Sequence, residues 1–144
     1  MSRALFADTS ALARVYLEDE PESHELRTLL RNSSEAVVAS ELVRVELARA
    51  AKSAERARRI PDALRVLSRI DADLGGPVGL VYLDPMTILP LARGLVLEHR
   101  LGTLDAIHLA VAVEERRRSP DPVVFVTRDA DQAAAAQALG FIVL

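Results

Sequence analysis

The stretch Val123-Val124-Phe125-Val126-Thr127-Arg128-Asp129-Ala130 decides the fold. Its first four residues are apolar without alternation. A strand with one wet face alternates apolar and polar side chains, so an unbroken run predicts a strand buried on both faces, as in a parallel sheet covered by helices. Ala130 to Leu139 then carries a helical pattern, and Gly140 marks its stop. An acid, Asp129, stands at the joint. The same order of strand, acid and helix recurs at the other end of the chain: Ala4 to Ala7 reads as a strand, Asp8 follows, and Ser10 to Leu17 reads as a helix.

Between these ends the alternation continues. Pro21 to Leu30 predicts a helix with the proline in its first turn. Ala36 to Ala39 predicts a short strand, Glu41 to Arg59 a long helix, and Pro61 to Ile70 another. Gly75-Gly76-Pro77-Val78-Gly79 is a loop, Leu80 to Leu83 a strand ended by Asp84-Pro85, and Thr87 to His99 a helix with Pro90 still in its first turn. Asp105 to Arg118 is a helix whose Ile107, Ala110 and Val111 share a face, Ser119 to Pro122 a tight connection, and Phe141 to Val143 a last strand. The pattern predicts one α/β domain over residues 1–144, a three-layer sandwich with a mostly parallel sheet between helices.

Bulk composition narrows the function. A chain of 144 residues, half of them hydrophobic, is long enough for one real core. The absence of cysteine excludes disulfides, thiolate metal sites and a cysteine nucleophile. Net charge is −3, so nothing in the total points to a polyanion, yet 17 of the 18 basic residues are Arg. Seven of these lie between Arg44 and Arg69, and Arg116-Arg117-Arg118 form a run; both suit either a solvated helix face or phosphate contacts. No apolar stretch reaches the roughly 18 residues of a membrane span. The first residues show no cationic region followed by an apolar one, and a soluble, cytoplasmic protein is expected.

Four acids need an explanation: Asp8, Glu46, Asp105 and Asp129. Asp8 could cap the helix that follows it. Asp105 lies two residues after Thr103, a candidate N-cap, where the helix dipole favours an acid. Asp129 has Gln132 three residues on, a capping-box spacing. Glu46 is surrounded on its helix by Val43, Leu47 and Ala50, and its ordinary explanation is an ion pair with Arg49. Capping explains why each aspartate is tolerated but not why they should converge. Asp8 and Asp129 end strands and Asp105 opens a helix, and in a parallel sheet those places meet at the edge where ligands bind. Clustered carboxylates repel unless a cation joins them, and an oxygen-only set suits Mg²⁺ or Mn²⁺.

The stretches Leu5-Phe6-Ala7-Asp8-Thr9-Ser10-Ala11, Ser40-Glu41-Leu42-Val43-Arg44-Val45-Glu46-Leu47, Thr103-Leu104-Asp105-Ala106-Ile107-His108-Leu109-Ala110 and Val126-Thr127-Arg128-Asp129-Ala130-Asp131 resemble, in order and near spacing, the four motif blocks of the PIN-domain family. The length resembles that of its VapC-type ribonuclease toxins. This resemblance implies a PIN-like sandwich and a divalent-metal-dependent endoribonuclease, the toxin of a VapBC-type toxin–antitoxin pair. It implies Asp8, Glu46, Asp105 and Asp129 as catalytic acids, with Asp8, Asp105 and Asp129 holding Mg²⁺ or Mn²⁺. Thr9, Ser10 and Thr127 map to supporting hydroxyls. One departure is Gln132, where the family often has an aromatic; Asp131 is therefore kept beside Asp129 as a supporting acid. The implied partners are an RNA substrate and a VapB-type antitoxin. Val15, Leu26, Leu29, Leu64, Val66 and Leu67 exceed what short helices need for one buried face, which fits either a homodimer or antitoxin groove, or a larger core.

Other readings fare less well. A phosphatase of the haloacid-dehalogenase kind needs a second Asp two residues after the first, where Ser10 stands. A phosphate-accepting receiver needs a nearby Lys, and Lys52 lies in the Arg-rich helix. The glycine-rich loop at 75–79 lacks the Lys-Ser/Thr ending of a phosphate loop. His108 is expected as a packed or hydrogen-bonded helix residue. The alternative function is a degenerate PIN module that binds RNA or protein without catalysis, although such modules typically lack one or more of the acids.

Overall fold

A computed structural model describes residues 2–144. Four strands, β1 (Ala4–Ala7), β2 (Ala36–Ser40), β3 (Val78–Val81) and β4 (Val123–Val126), form one sheet in the order β3-β2-β1-β4. Every pair is parallel. The helices are α1 (Thr9–Tyr16), α2 (Ser23–Leu30), α3 (Val43–Arg56), α4 (Ala63–Asp73), α5 (Pro85–Glu98), α6 (Thr103–Arg118) and α7 (Ala130–Ala138). The expected α/β sandwich is therefore observed.

Strand geometry divides the core in two. Successive strand side chains point to opposite faces. Leu5, Ala7, Val124 and Val126 join α1 to α4 on one face of the sheet, while Phe6, Val123 and Phe125 join α5 to α7 on the other. All four residues of β4 are buried, as its unbroken apolar run predicts. On the second face the Phe6 and Phe125 rings stack at 5.9 Å, and Phe141 tilts against Phe125 at the same separation.

Several expectations shift. The strand predicted at Leu80 to Leu83 runs instead over Val78–Val81, in register from Val37↔Val78 to Ser40↔Val81. Gly79 lies so close to Val38 that an added Cβ would sit 3.3 Å from its Cγ1, and Leu83 leaves the sheet to donate its N–H to Glu41 Oε1 at 2.9 Å. Helix α5 starts at Pro85 because Asp84 caps it, accepting from Met86 N at 3.1 Å and from the Thr87 hydroxyl at 3.0 Å. Pro90 consequently lies inside the helix rather than in its first turn. The last predicted strand reduces to a single parallel bridge, Phe125↔Val143, beside β4. Gly140 adopts φ 88° after α7, and this left-handed turn returns the Phe141 N–H to Ala136 O at 3.0 Å.

The apolar surplus is mostly core. Val15, Leu26 and Val66 are buried, Leu29 and Leu67 pack against them, and Leu64 remains exposed. Several exposed apolar side chains lie along α5, at Met86, Leu89 and Leu97, with Tyr82 just before it, and others are scattered at Val45, Leu64 and Ile142. No helix among the described residues is long and apolar enough to cross a membrane.

Candidate functional site

Register brings the two strand-end acids together. Ala7 pairs with Val126, so Asp8 and Thr127 leave the sheet side by side, and the Asp8 N–H donates to Val126 O at 2.9 Å. Asp8 is buried and caps α1, its Oδ2 accepting from Ser10 N at 3.0 Å. Its Oδ1 accepts from Gln132 Nε2 at 3.1 Å. Asp129 caps α7, its Oδ1 accepting from Gln132 N at 2.8 Å. Both capping expectations hold, but the Gln132 side chain does not close a capping box. The Asp129 N–H donates to Thr127 Oγ1 at 3.1 Å, and the Gln132 side chain turns to Asp8 instead.

Asp105 lies in the first turn of α6, whose N-cap is Gly102 rather than Thr103. Among the described residues its carboxylate accepts no hydrogen bond from the protein. Burial, then the charges of Asp8 and Asp129, push it up from 3.8 to about 6. Asp8 and Asp129 are thus each within electrostatic reach of Asp105. Asp131, in contrast, is exposed on the outer side of α7.

Glu46 reaches the cluster from α3, and its partner is not Arg49. Its Oε1 accepts from the Thr9 hydroxyl at 2.9 Å and contacts Nε2 of the fully buried His108. Burial is the largest influence on each partner and opposes its charge, but the bond between them and the surrounding charges prevail. Glu46 is held below the usual carboxylate range, and His108 is raised. Glu46 Oε2 accepts nothing among the described residues. His108 Nδ1 is buried without a hydrogen-bond partner. The sequence offered a signal for this pair, since His108 follows Asp105 by one helical turn, but not for its partner on another helix.

Hydroxyls tie the strand ends. Ser10 Oγ lies 3.2 Å from Thr127 Oγ1 and accepts from Arg128 N at 2.9 Å. Arg128 Nε lies 2.9 Å from Glu22 Oε2 but off the line of a hydrogen bond, so that contact is ionic. Sequence reasoning passed over Gln132 as a site residue. It is fully buried and touches Asp8, Asp105 and Thr127.

Among the described residues, no three His, Asp or Glu side chains are drawn up tightly enough to form a ready-made ion cage. Each acid leans on protein donors instead, apart from Asp105. A hard divalent cation nevertheless suits the donor chemistry: the set is oxygen-only, and Asp105 is raised by burial and then by like charges that a cation would offset.

A parallel α/β sandwich with acids beyond the carboxyl ends of β1 and β4 belongs to the open-sheet class, in which ligands bind at that edge. Residues 5–138 match the family model of the PIN domain, and the chain belongs to that family. No curated protein matches it. Solved structures do: VapC20 of Mycobacterium tuberculosis, a sarcin-ricin loop cleaving toxin, is similar at TM-score 0.66 and 19% identity over 96% of both chains. A toxin–antitoxin complex from Klebsiella pneumoniae is similar at TM-score 0.63 and 21% identity over 90% of both. VapBC2 from Rickettsia felis, bound to a DNA fragment from its promoter, is similar at TM-score 0.64 and 12% identity over 98% of this chain and 97% of that one. At these identities the likeness is one of fold.

Proposed function

We propose that this protein is a divalent-metal-dependent endoribonuclease and the toxin of a VapBC-type pair. The observation that carries the reading is the register Ala7↔Val126, which sets Asp8 and Asp129 at neighbouring strand ends, with the first turn of α6 that bears Asp105 tied to Asp8 through the Gln132 amide. Asp8, Asp105 and Asp129 would hold Mg²⁺ or Mn²⁺. Bound there, the ion would activate water and offset charge on the scissile phosphate.

The chain's own residues do the rest. Glu46 is fixed through one oxygen by Thr9 and His108, which leaves Oε2 free toward solvent or a ligand. A general base works best with a pKa near the working pH, and Glu46 is shifted the other way. Its bonds to His108 and Thr9 suit a fixed negative charge beside the aspartates. Ser10 and Thr127 lock the two strand ends that present Asp8 and Asp129. Arg49, exposed one turn beyond Glu46 and without an ion pair among the described residues, is placed to hold a flanking phosphate.

A cognate antitoxin and a homodimer belong to this reading. VapBC complexes are among the structural neighbours, and the α5 face of Met86, Leu89 and Leu97 is an apolar surface available for contact. Action in the cytoplasm is part of the same proposal.

The test is end-mapping of cellular RNA after expression of wild type, Asp8→Asn and Asp105→Asn. New 5′ ends are expected with wild type alone, together with metal-dependent cleavage by the purified protein. Cleavage by either variant at the wild-type rate would remove the assignment. A non-catalytic PIN module is the second reading, favoured by the absence of a preformed three-ligand cage among the described residues. Metal-insensitive RNA binding without cleavage would select it.

A further inference from the structure

We propose that Gln132 is a positioning residue for metal uptake, tying together the three elements that carry Asp8, Asp105 and Asp129; the inference rests on the metal-dependent reading above. Gln132 is fully buried and makes four hydrogen bonds that span the site. Its Nε2 donates to Asp8 Oδ1 at 3.1 Å and to Asp105 O at 3.2 Å. Its Oε1 accepts from the Thr127 hydroxyl at 2.6 Å, and its backbone N–H donates to Asp129 Oδ1 at 2.8 Å. One side chain thus joins the ends of β1 and β4 to the first turn of α6.

The amide can face only one way. Asp8 Oδ1 and the Asp105 carbonyl are acceptors, so the NH₂ end must meet them. The Oε1 end then requires a proton from Thr127. Thr127 has one proton, so the Ser10 hydroxyl must in turn donate to Thr127 Oγ1, and Ser10 Oγ accepts from Arg128 N. The result is a directed chain from the Arg128 N–H through Ser10, Thr127 and Gln132 to Asp8. An aromatic at position 132 could fill the space but could not supply this amide. The carboxamide therefore couples the orientation of Asp8 to the placement of the Asp105 backbone, and the ligand set depends on it. Partners of this kind typically change metal affinity 10- to 100-fold when removed.

Calorimetric titration of metal-stripped protein with Mn²⁺ tests the proposal. Gln132→Met keeps length and burial but has no donor, and should weaken Mn²⁺ binding about 10-fold or more relative to wild type. Thr127→Val, which removes the hydroxyl that orients the amide and that also accepts from the Asp129 N–H, should weaken it in the same sense, and Thr127→Ser should restore it. These two decide the matter if Gln132→Met does not fold. A purely structural role would lower the melting temperature and leave Mn²⁺ affinity at the wild-type value; that outcome, with wild type binding Mn²⁺ normally, overturns the proposal alone. A wild type that takes up no Mn²⁺ overturns the proposal together with the metal-dependent reading.

Discussion

At the scale of single residues, electrostatics makes two signed predictions. Asp105 rises from 3.8 to about 6 in the folded protein, so the folded state prefers the protonated acid. Its contribution to stability is present below 3.8 and is lost as pH rises through about 6. The full shift would correspond to about 3 kcal/mol, and solvent around a half-exposed group screens this to about 1 kcal/mol. Asp105→Asn should therefore stabilise the metal-free protein by about 1 kcal/mol at neutral pH and by nothing in strong acid; urea melts at several pH values measure this. The Glu46–His108 pair behaves differently. Glu46 is lowered, so its contribution is lost as pH falls below its ordinary 4.5; His108 is raised, so its contribution is full below 6.5 and is lost as pH climbs through the raised value. His108→Leu leaves a charge without its partner and should cost about 3 kcal/mol between those values, with the deficit shrinking at alkaline pH. A pH-independent deficit would mean that packing alone, and not the ion pair, is lost.

At the scale of elements, α1 and α4 are joined by a buried polar contact that no sequence pattern announced. The Tyr16 hydroxyl donates to Asp73 Oδ2 at 2.7 Å, with Arg31 Nε 3.6 Å from the same oxygen. Burial first, then Asp73, raises the Tyr16 pKa above its ordinary 10. The unfolded chain therefore releases the tyrosine proton before the folded one, and stability should fall as pH rises past about 10. Tyr16→Phe removes this alkaline slope and leaves Asp73 without its donor, at a cost of about 1–3 kcal/mol at neutral pH. Across the sheet, Phe125 is the shared member of two aromatic contacts. Phe125→Ala should cost about 3–5 kcal/mol by opening a cavity between β4 and α7. Denaturant unfolding of both variants tests these values.

At the scale of the whole molecule, metal and folding should be linked. An ion that binds the native state alone adds RT ln(1 + [L]/Kd), about 2.7 kcal/mol at a hundredfold excess over Kd. For a chain of this size that corresponds to a rise in melting temperature of roughly 5–10 °C. Saturating Mn²⁺ should produce it in wild type and not in Asp8→Asn. An unchanged wild-type melting curve at millimolar Mn²⁺ would contradict the metal-dependent reading.

The sequence by itself determined the architecture. The unbroken run at Val123–Val126 required a strand covered on both faces, and the alternation of short apolar runs with helical patterns required a parallel sheet between helices. It also marked Asp8 and Asp129 as caps, because a cap depends on neighbours two or three residues away. Boundaries at β3 and α5 were less legible. Gly79 tolerates close packing against Val38, and Asp84 starts α5 early, and both effects depend on contacts or cap geometry. Only the tertiary structure decided the partners. Glu46 had Arg49 one turn away and took His108, 62 positions on, because the two side chains reach each other although α3 and α6 cover opposite faces of the sheet. Gln132 had the spacing of a capping box and reached Asp8 instead, 124 positions away, because the register Ala7↔Val126 sets the two strand ends side by side. Local sequence fixes which groups are polar and buried. The donor that satisfies each of them is chosen by packing, which brings together residues that no periodicity relates.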